Sequence, residues 1–189
     1  KYAGTWSDAG VFSLYPSKNF GAIGDAGIIN FHNQEYANLA KSIRSYGSET
    51  NNKYLHKVPG VNSRLDSVQA AVLNVNHKYL SDWNRHRINL GKIYSQNLNQ
   101  NFHILQSEDL NSVRHHFPIL VNSPTKVCNY LLENGIGTDR HYPEIAANTY
   151  YKFYEKESSI FKNAKNITER VISLPISQWH SSSEIEIVC

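Results

Sequence analysis

The sequence predicts an α/β fold with a separate α+β subdomain from about residue 102. Three observations predict it. Two β-favouring runs, at 11–15 and 26–31, flank a turn that carries a lysine and two glycines. From residue 64 onward, apolar residues recur every three or four positions for some thirty residues, the period of a helix face. The last third alternates strand-like and helix-like stretches, and strands followed by helices make an α/β protein.

The elements follow in order. The run Val11-Phe12-Ser13-Leu14-Tyr15 is a strand that Pro16 ends. A second strand covers 26–31. Asn33 caps a helix running to about Tyr46, with Tyr36, Leu39, Ala40 and Ile43 on one face, and Gly47 closes it. Residues 48–62 read as a long polar loop with Pro59-Gly60 as a turn. A long helix starts near Arg64, with Leu65, Val68, Val72, Val75, Tyr79, Trp83, Leu90 and Tyr94 on its apolar side, and bends at Ser81 or Gly91. Further on come a strand at 117–121, a helix at 125–134 closed by Gly135, helices at 150–154 and 163–172, and a last helix opened by a capping box of Ser181 and Glu184. The expected division is 1–100 and 101–189.

Composition narrows the function. The net charge is +3, too weak and scattered for a nucleic-acid partner. The densest basic spot, Arg85-His86-Arg87, reads as a solvated helix face. Two cysteines, Cys128 and Cys189, make neither a disulfide framework nor a metal site, and Cys128 reads as a buried thiol. No apolar run approaches the ~20 residues that span a membrane, and no signal peptide is recognisable, so a reducing cytoplasm is expected. The chain lacks methionine and opens inside apparently ordered sequence, which raises the expectation that an N-terminal portion precedes Lys1.

The chemistry lies in Ser13-Leu14-Tyr15-Pro16-Ser17-Lys18-Asn19-Phe20-Gly21, followed by Gly24-Asp25-Ala26-Gly27. A lysine in a glycine-bearing loop at the end of a strand sits where α/β proteins bind ligands. It is no Walker motif, because the lysine precedes the glycines. On pattern alone Lys18 reads as a surface lysine, Ser13 as a strand serine, Asn62 as the cap of the long helix, and His141 and Tyr142 as loop residues.

That run resembles the cofactor-lysine motif of the DegT/DnrJ/EryC1/StrS aminotransferases. Five further blocks resemble the same family in the same order. They are Tyr54 with Gly60-Val61-Asn62-Ser63-Arg64-Leu65-Asp66 and Gln69-Ala70-Ala71; Tyr79 to Asn84 with Arg87; His115 with Phe117-Pro118-Ile119; Gly135-Ile136-Gly137-Thr138 with His141-Tyr142-Pro143; and Ser173-Leu174-Pro175. Together they cover nearly the whole chain.

The resemblance implies the C-terminal part of a fold type I transferase, the aspartate-aminotransferase type: part of the large α/β domain with a long connecting helix, then the small α+β domain. It implies pyridoxal 5'-phosphate as cofactor, L-glutamate as amino donor and a nucleotide-linked keto-sugar as acceptor. A homodimer with shared active sites is implied as well. By matching position, Lys18 is the catalytic lysine that bonds the cofactor. Ser13 resembles the hydroxyl that binds its phosphate, and Asn62 an asparagine that reaches the phosphate of the neighbouring subunit. His141, Tyr142 and Tyr54 resemble residues near the sugar-nucleotide pocket, and Arg64 is expected in an ion pair nearby. No metal is implied. Gly24-Asp25-Ala26-Gly27 leans toward relatives that aminate C3 of a 6-deoxyhexose.

The family's N-terminal half supplies the aspartate on the pyridine nitrogen, the ring-stacking aromatic and further phosphate donors. This polypeptide alone is therefore expected to be inactive, to bind the cofactor poorly, and to expose a large apolar surface. The sequence also departs from the family at Glu144-Ile145-Ala146-Ala147-Asn148, where relatives carry a further His and Gln. Two other readings stand beside the enzyme: a truncated, non-catalytic dimerisation module, and a sugar dehydratase of the same fold, which Lys18 argues against because those relatives carry histidine there.

Overall fold

The computed structural model describes residues 2–49, 51–98, 102–105, 111–143 and 162–189. The helix expected at 150–154 and the departure at 144–148 lie outside them. The chain divides into two compact units, Lys1–Ser81 and Asp82–Cys189.

The first unit is built on an antiparallel pair, β1 (Ala9–Ser13) and β2 (Gly27–Phe31), in register from Ala9↔Phe31 to Ser13↔Gly27. Both strands are apolar on both faces, the composition of strands covered on both sides. Here Val11 is 74% and its partner Ile29 54% exposed, and Trp6, Ile23 and Val68 are exposed too. The expected apolar surface is present.

Helix α1 (Gln34–Ile43) starts where Asn33 Oδ1 accepts from Glu35 N at 2.7 Å and ends at Arg44, earlier than the expected Tyr46. Tyr46 and Gly47 follow at positive φ and turn the chain into a hairpin of β3 (Ser48–Glu49) and β4 (Asn52–His56). The polar loop expected at 48–62 is thus half hairpin. Exposure on both faces removes the alternation by which a strand is recognised, since β4 has no buried side chain.

Helix α2 (Ser67–His77) is capped by Asp66, whose Oδ1 accepts from Val68 N at 2.9 Å, so Asn62 is not the helix cap. The expected single long helix is two. Lys78 N donates to Val75 O and Tyr79 N to Asn76 O, and these tight i→i+3 turns end α2 before α3 (Leu80–Asn97) begins. The break falls at Lys78-Tyr79, not at Ser81 or Gly91.

The second unit carries an antiparallel sheet in the order β5-β6-β7, formed by β5 (His103–Ile104), β6 (Phe117–Leu120) and β7 (Val171–Leu174). Gly135, at φ +77° just past the end of α4 (Pro124–Glu133), closes that helix as the sequence indicated, and Pro124 stands at its start. Helix α5 (Lys162–Arg170) stops two residues short of the expected Ile172, because Val171 and Ile172 pair with Leu120 and Ile119. Helix α6 (Ser182–Val188) opens with the expected capping box. The core joins Leu90 and Tyr94 of α3 to Phe117, Ile119, Ile172 and Ile185. Cys128 is half-buried at its edge.

Arg87 corrects the reading of 85–87 as a solvated face. Arg85 is exposed, but Arg87 lies one turn before Leu90 on the core side and is 3% exposed. Its guanidinium donates to Arg114 O at 2.9 Å, Ile176 O at 3.3 Å and Gln178 Oε1 at 3.0 Å. Burial lowers its pKa from the usual arginine range. Three adjacent basic letters gave no sign that the third faces inward.

Candidate active site

Lys18 stands on a loop that both ends of the sequence motif hold in place. Leu14, buried beyond the end of β1, donates through its N–H to Ala26 O at 2.9 Å and accepts from Ala22 N at 2.8 Å. These bonds close residues 15–21 into an excursion from the sheet. Within it Lys18 N donates to Tyr15 O at 2.9 Å, a four-residue turn with Pro16 in the position that favours proline. Gly21 is required by space: a Cβ there would lie 2.7 Å from Pro16 O and 2.8 Å from Tyr15 O.

Helix α2 anchors the far side. Gln69, Leu73 and Asn76 share one face at i, i+4 and i+7. Gln69 Oε1 accepts from Ile23 N at 2.9 Å, Asn76 Nδ2 donates to Gly21 O at 2.9 Å, and Leu73 packs between them against Leu14 and Ala22. Asn76 carries no motif signal and was missed as a loop anchor, and Gln69 stood in a motif without a role. Lys18 itself is half-buried.

Beside this loop opens a cavity of about 890 Å³ within the first unit. Ser13 and Asn62 both line it, as do Tyr15 and Asp25. Asn62 comes there because residues 61–63 run back along the end of α1: Val61 N donates to Ile43 O at 2.8 Å and Ser63 N to Arg44 O at 2.9 Å. Gly60 lets the backbones meet, since a Cβ there would overlap Tyr46 and Gly47. Asn62 Oδ1 accepts from Arg64 Nε at 3.1 Å, and the Arg64 guanidinium also sits 5.9 Å from the Tyr46 ring centre. So Arg64, expected in an ion pair, is held by an amide and an aromatic face.

Three cations, Lys41, Arg44 and Arg64, line the cavity against one acid, Asp25. Lys41 and Arg44 carried no motif signal. The donor set of hydroxyl, amide and guanidinium suits a phosphate dianion, which needs several donors at close range. The volume accommodates a substituted pyridine ring. The residues present therefore fit a phosphorylated ring cofactor.

The remaining candidates are not among the residues that line this cavity. Lys18 is not among its lining residues, although Tyr15, at the start of the Lys18 loop, is. Tyr54 lies on β4, 80% exposed, with Lys53 Nζ 5.0 Å from its ring centre. His141 and Tyr142 belong to the second unit. There His141 Nδ1 hydrogen-bonds Ser173 Oγ at 2.9 Å, and its ring stacks on His116 at 3.8 Å. Ser173 is fixed in β7, whose N–H donates to Asp139 O at 2.6 Å. Tyr142 is exposed. Among the described residues no helix is long and apolar enough to cross a membrane, and no cluster of side chains could hold a metal ion.

A sequence model of the DegT/DnrJ/EryC1/StrS aminotransferase family matches residues 1–189. The chain is 37% identical over 190 residues to the dTDP-3-amino-3,6-dideoxy-alpha-D-galactopyranose transaminase of Aneurinibacillus thermoaerophilus, covering 100% of this chain and 52% of that one. It is 35% identical over 185 residues to the erythromycin biosynthesis sensory transduction protein EryC1 of Saccharopolyspora erythraea, covering 96% of this chain and 50% of the relative. The crystal structure of NtdA from Bacillus subtilis with bound cofactor PMP superimposes with a TM-score of 0.86 at 26% identity, over 98% of this chain and 45% of that one. The chain spans about half the length of the relatives it matches.

Proposed function

Because the chain belongs to the DegT/DnrJ/EryC1/StrS aminotransferase family, we propose that its protein transfers an amino group from L-glutamate to a keto-sugar nucleotide. The fold is α/β, that of the C-terminal part of a pyridoxal-phosphate-dependent aminotransferase, and the cofactor is pyridoxal 5'-phosphate. Two of its relatives' names point to the acceptor: one is a dTDP-3-amino-3,6-dideoxyhexose transaminase, another a dTDP-3-amino-3,4,6-trideoxyhexose transaminase. With Gly24-Asp25-Ala26-Gly27 after the lysine, the acceptor is read as a dTDP-3-keto-6-deoxyhexose, for deoxyamino-sugar and cell-surface polysaccharide synthesis in the cytoplasm.

The observation that carries the reading is Ser13 on the cavity at whose edge the Lys18 loop leaves β1. In this proposal residues 1–100 belong to the cofactor-binding large domain and 101–189 form the small domain. Ser13 and Asn62 bind the cofactor phosphate, Asn62 reaching that of the second subunit of a homodimer. When bound, the cofactor supplies an aldehyde and an electron-withdrawing pyridine ring. Lys18 holds it covalently through its neutral amine. A free lysine with pKa ~10.4 is mostly charged at neutral pH, so a bonded lysine avoids that loss of nucleophile. With its amine free, Lys18 would carry the proton between the donor's α-carbon and the cofactor's aldehyde carbon. His141, Tyr142 and Tyr54 orient the sugar nucleotide.

The test is spectroscopic and covalent. The protein saturated with pyridoxal 5'-phosphate should absorb in the near-visible, and borohydride should fix the cofactor to the peptide carrying Lys18. Lys18→Ala should lose both signals with its far-UV circular dichroism unchanged. A band that persists in the variant would remove Lys18 from the role. A second reading, a non-catalytic dimerisation module, rests on the half-length match to relatives. Transamination restored by adding a separately produced N-terminal half of a relative would decide against it.

A further inference from the structure

We propose that Ser173 is a positioning residue that fixes His141 in the tautomer with its hydrogen on Nε2, so that His141 meets a ligand as a donor. This rests on the reading above of His141 as a residue that orients the sugar nucleotide. It adds which nitrogen does so and what sets it.

The placement begins in the backbone. Pro118 faces Ser173 across β6 and β7 and has no N–H to give. Ser173 makes its own backbone bonds on the other side. Ser173 N donates to Asp139 O at 2.6 Å, and Asp139 N donates to Ser173 O at 3.3 Å. This bridge lays residues 139–141 along the edge of β7. Arg140 ties the same run down, since its guanidinium donates to Val171 O at 3.2 Å and to Thr168 O.

The His141 ring is then held at three points. Nδ1 lies 2.9 Å from Ser173 Oγ, and Nε2 lies 3.5 Å from Asp139 Oδ2. One face stacks on the His116 ring with the planes 17° apart, which fixes the plane of the imidazole.

Two neighbours place the hydrogen. Ser173 is 5% exposed, and among the described residues its hydroxyl bonds only to His141 Nδ1. A hydroxyl that merely accepted from Nδ1 would leave its own hydrogen buried and unpaired. Ser173 therefore donates and Nδ1 accepts. At the other nitrogen stands a carboxylate, which can only accept. Asp139 is 79% exposed and its Oδ1 accepts from Arg140 N at 2.7 Å. At 3.5 Å its other oxygen favours a hydrogen on Nε2 without binding it tightly. Both neighbours select the same tautomer, and the buried serine is the closer of the two. A serine, a histidine and an aspartate in line also describe a nucleophile and its base. Ser173 cannot take that part, because its hydroxyl is closed off from solvent.

Nitrogen NMR of the protein with isotope-labelled histidines tests this at about pH 8, where free imidazole is neutral. His141→Phe, which keeps a flat ring, identifies the His141 signals by their loss. In the parent, His141 Nε2 should carry the hydrogen and Nδ1 should resonate as a bare nitrogen that accepts a hydrogen bond. A parent with the hydrogen on Nδ1 would overturn the proposal whatever the variants do. In Ser173→Ala the Nδ1 signal should move to that of a nitrogen without a donor, and Ser173→Thr should restore it in part. Asp139→Asn should leave the hydrogen on Nε2. Unchanged His141 signals in Ser173→Ala, or a hydrogen that leaves Nε2 in Asp139→Asn, would also overturn it. Calorimetric binding of dTDP-glucose to the cofactor-saturated protein should weaken about tenfold in His141→Phe and about threefold in Ser173→Ala. Affinity lost in His141→Phe but intact in Ser173→Ala would deny Ser173 its positioning role. Affinity indifferent to His141→Phe, with the expected nitrogen signals in place, would strike the substrate role of His141 alone.

Discussion

Gln69 Oε1 accepts the backbone N–H of Ile23 at 2.9 Å across forty-six residues of sequence, so the loop that carries Lys18 takes its position from helix α2. Gly24 makes room for that amide, since a Cβ there would come within 2.5 Å of Gln69 Nε2. The lysine motif and the Gly-x-Asn-x-Arg block are thus two halves of one support. Removing the amide in Gln69→Ala leaves the Ile23 N–H without its partner. We expect a loss of about 1 kcal/mol in urea unfolding, together with weaker cofactor binding by absorbance titration. Unchanged stability and cofactor affinity would show that the bond does not hold the loop.

Two glycines separate a structural requirement from a permitted choice. At Gly21 an added Cβ meets the carbonyl oxygens of Tyr15 and Pro16, which are backbone and cannot move without opening the turn. Nothing lies within 4 Å of a Cβ at Gly137. Gly21→Ala should therefore cost about 2 kcal/mol or more, whereas Gly137→Ala should stay within about 0.5 kcal/mol of the parent. Thermal unfolding of the two variants side by side checks both. Equal melting temperatures would contradict the assigned steric role.

What could be read from the sequence, and what could not, divides along physical lines. A strand and a glycine turn around Lys18 were legible, but β1 covers Ala9–Ser13 and not 11–15, so it ends before Pro16, which stands in the turn instead. The Asn33 cap, Gly135 and the Ser181–Glu184 box were legible because each uses a residue with few alternatives. The hairpin of β3 and β4 was not, since Tyr54 and its neighbours are exposed on both faces. The break between α2 and α3 was hidden because Val75, Tyr79 and Trp83 keep helical spacing across it, with no glycine or proline to mark the stop. Val171 and Ile172 continue the apolar pattern of α5, and only pairing with β6 makes them strand. That Asn62 lines the same cavity as Ser13 depends on the run past the end of α1, which no local pattern encodes.

Arg87 holds the second unit together through carbonyls, not through a salt bridge. Its hydrogen bonds reach Arg114, Ile176 and Gln178, which lie on different segments. Truncating it leaves buried carbonyl oxygens without donors. Arg87→Leu should cost about 3 kcal/mol. Lysine is a poor substitute, because one ammonium cannot reproduce the fork. Arg85→Ala, which removes only an exposed pair with Asp82, should change stability by less than about 0.5 kcal/mol. Denaturant midpoints for the three variants test the contrast, and a mild effect of Arg87→Leu would refute it.

The start of α6 should respond to acid. Glu184 Oε2 accepts from Ser181 N at 2.7 Å and from Ser181 Oγ at 2.8 Å, and these bonds hold its carboxyl below the usual glutamate value of 4.5. A carboxyl whose pKa is depressed in the folded state adds stability above its unfolded value and loses it as pH falls through the lower folded value. The box should therefore be intact at neutral pH and open progressively as pH drops below about 4.5. Amide hydrogen exchange at residues 182–185 should show protection falling over that range, with protection elsewhere in the helix following later. In Glu184→Gln the side-chain carbonyl can still accept, but nothing titrates, so protection at these amides should be flat across the same pH interval. An equal acid response in that variant would place the titrating group elsewhere.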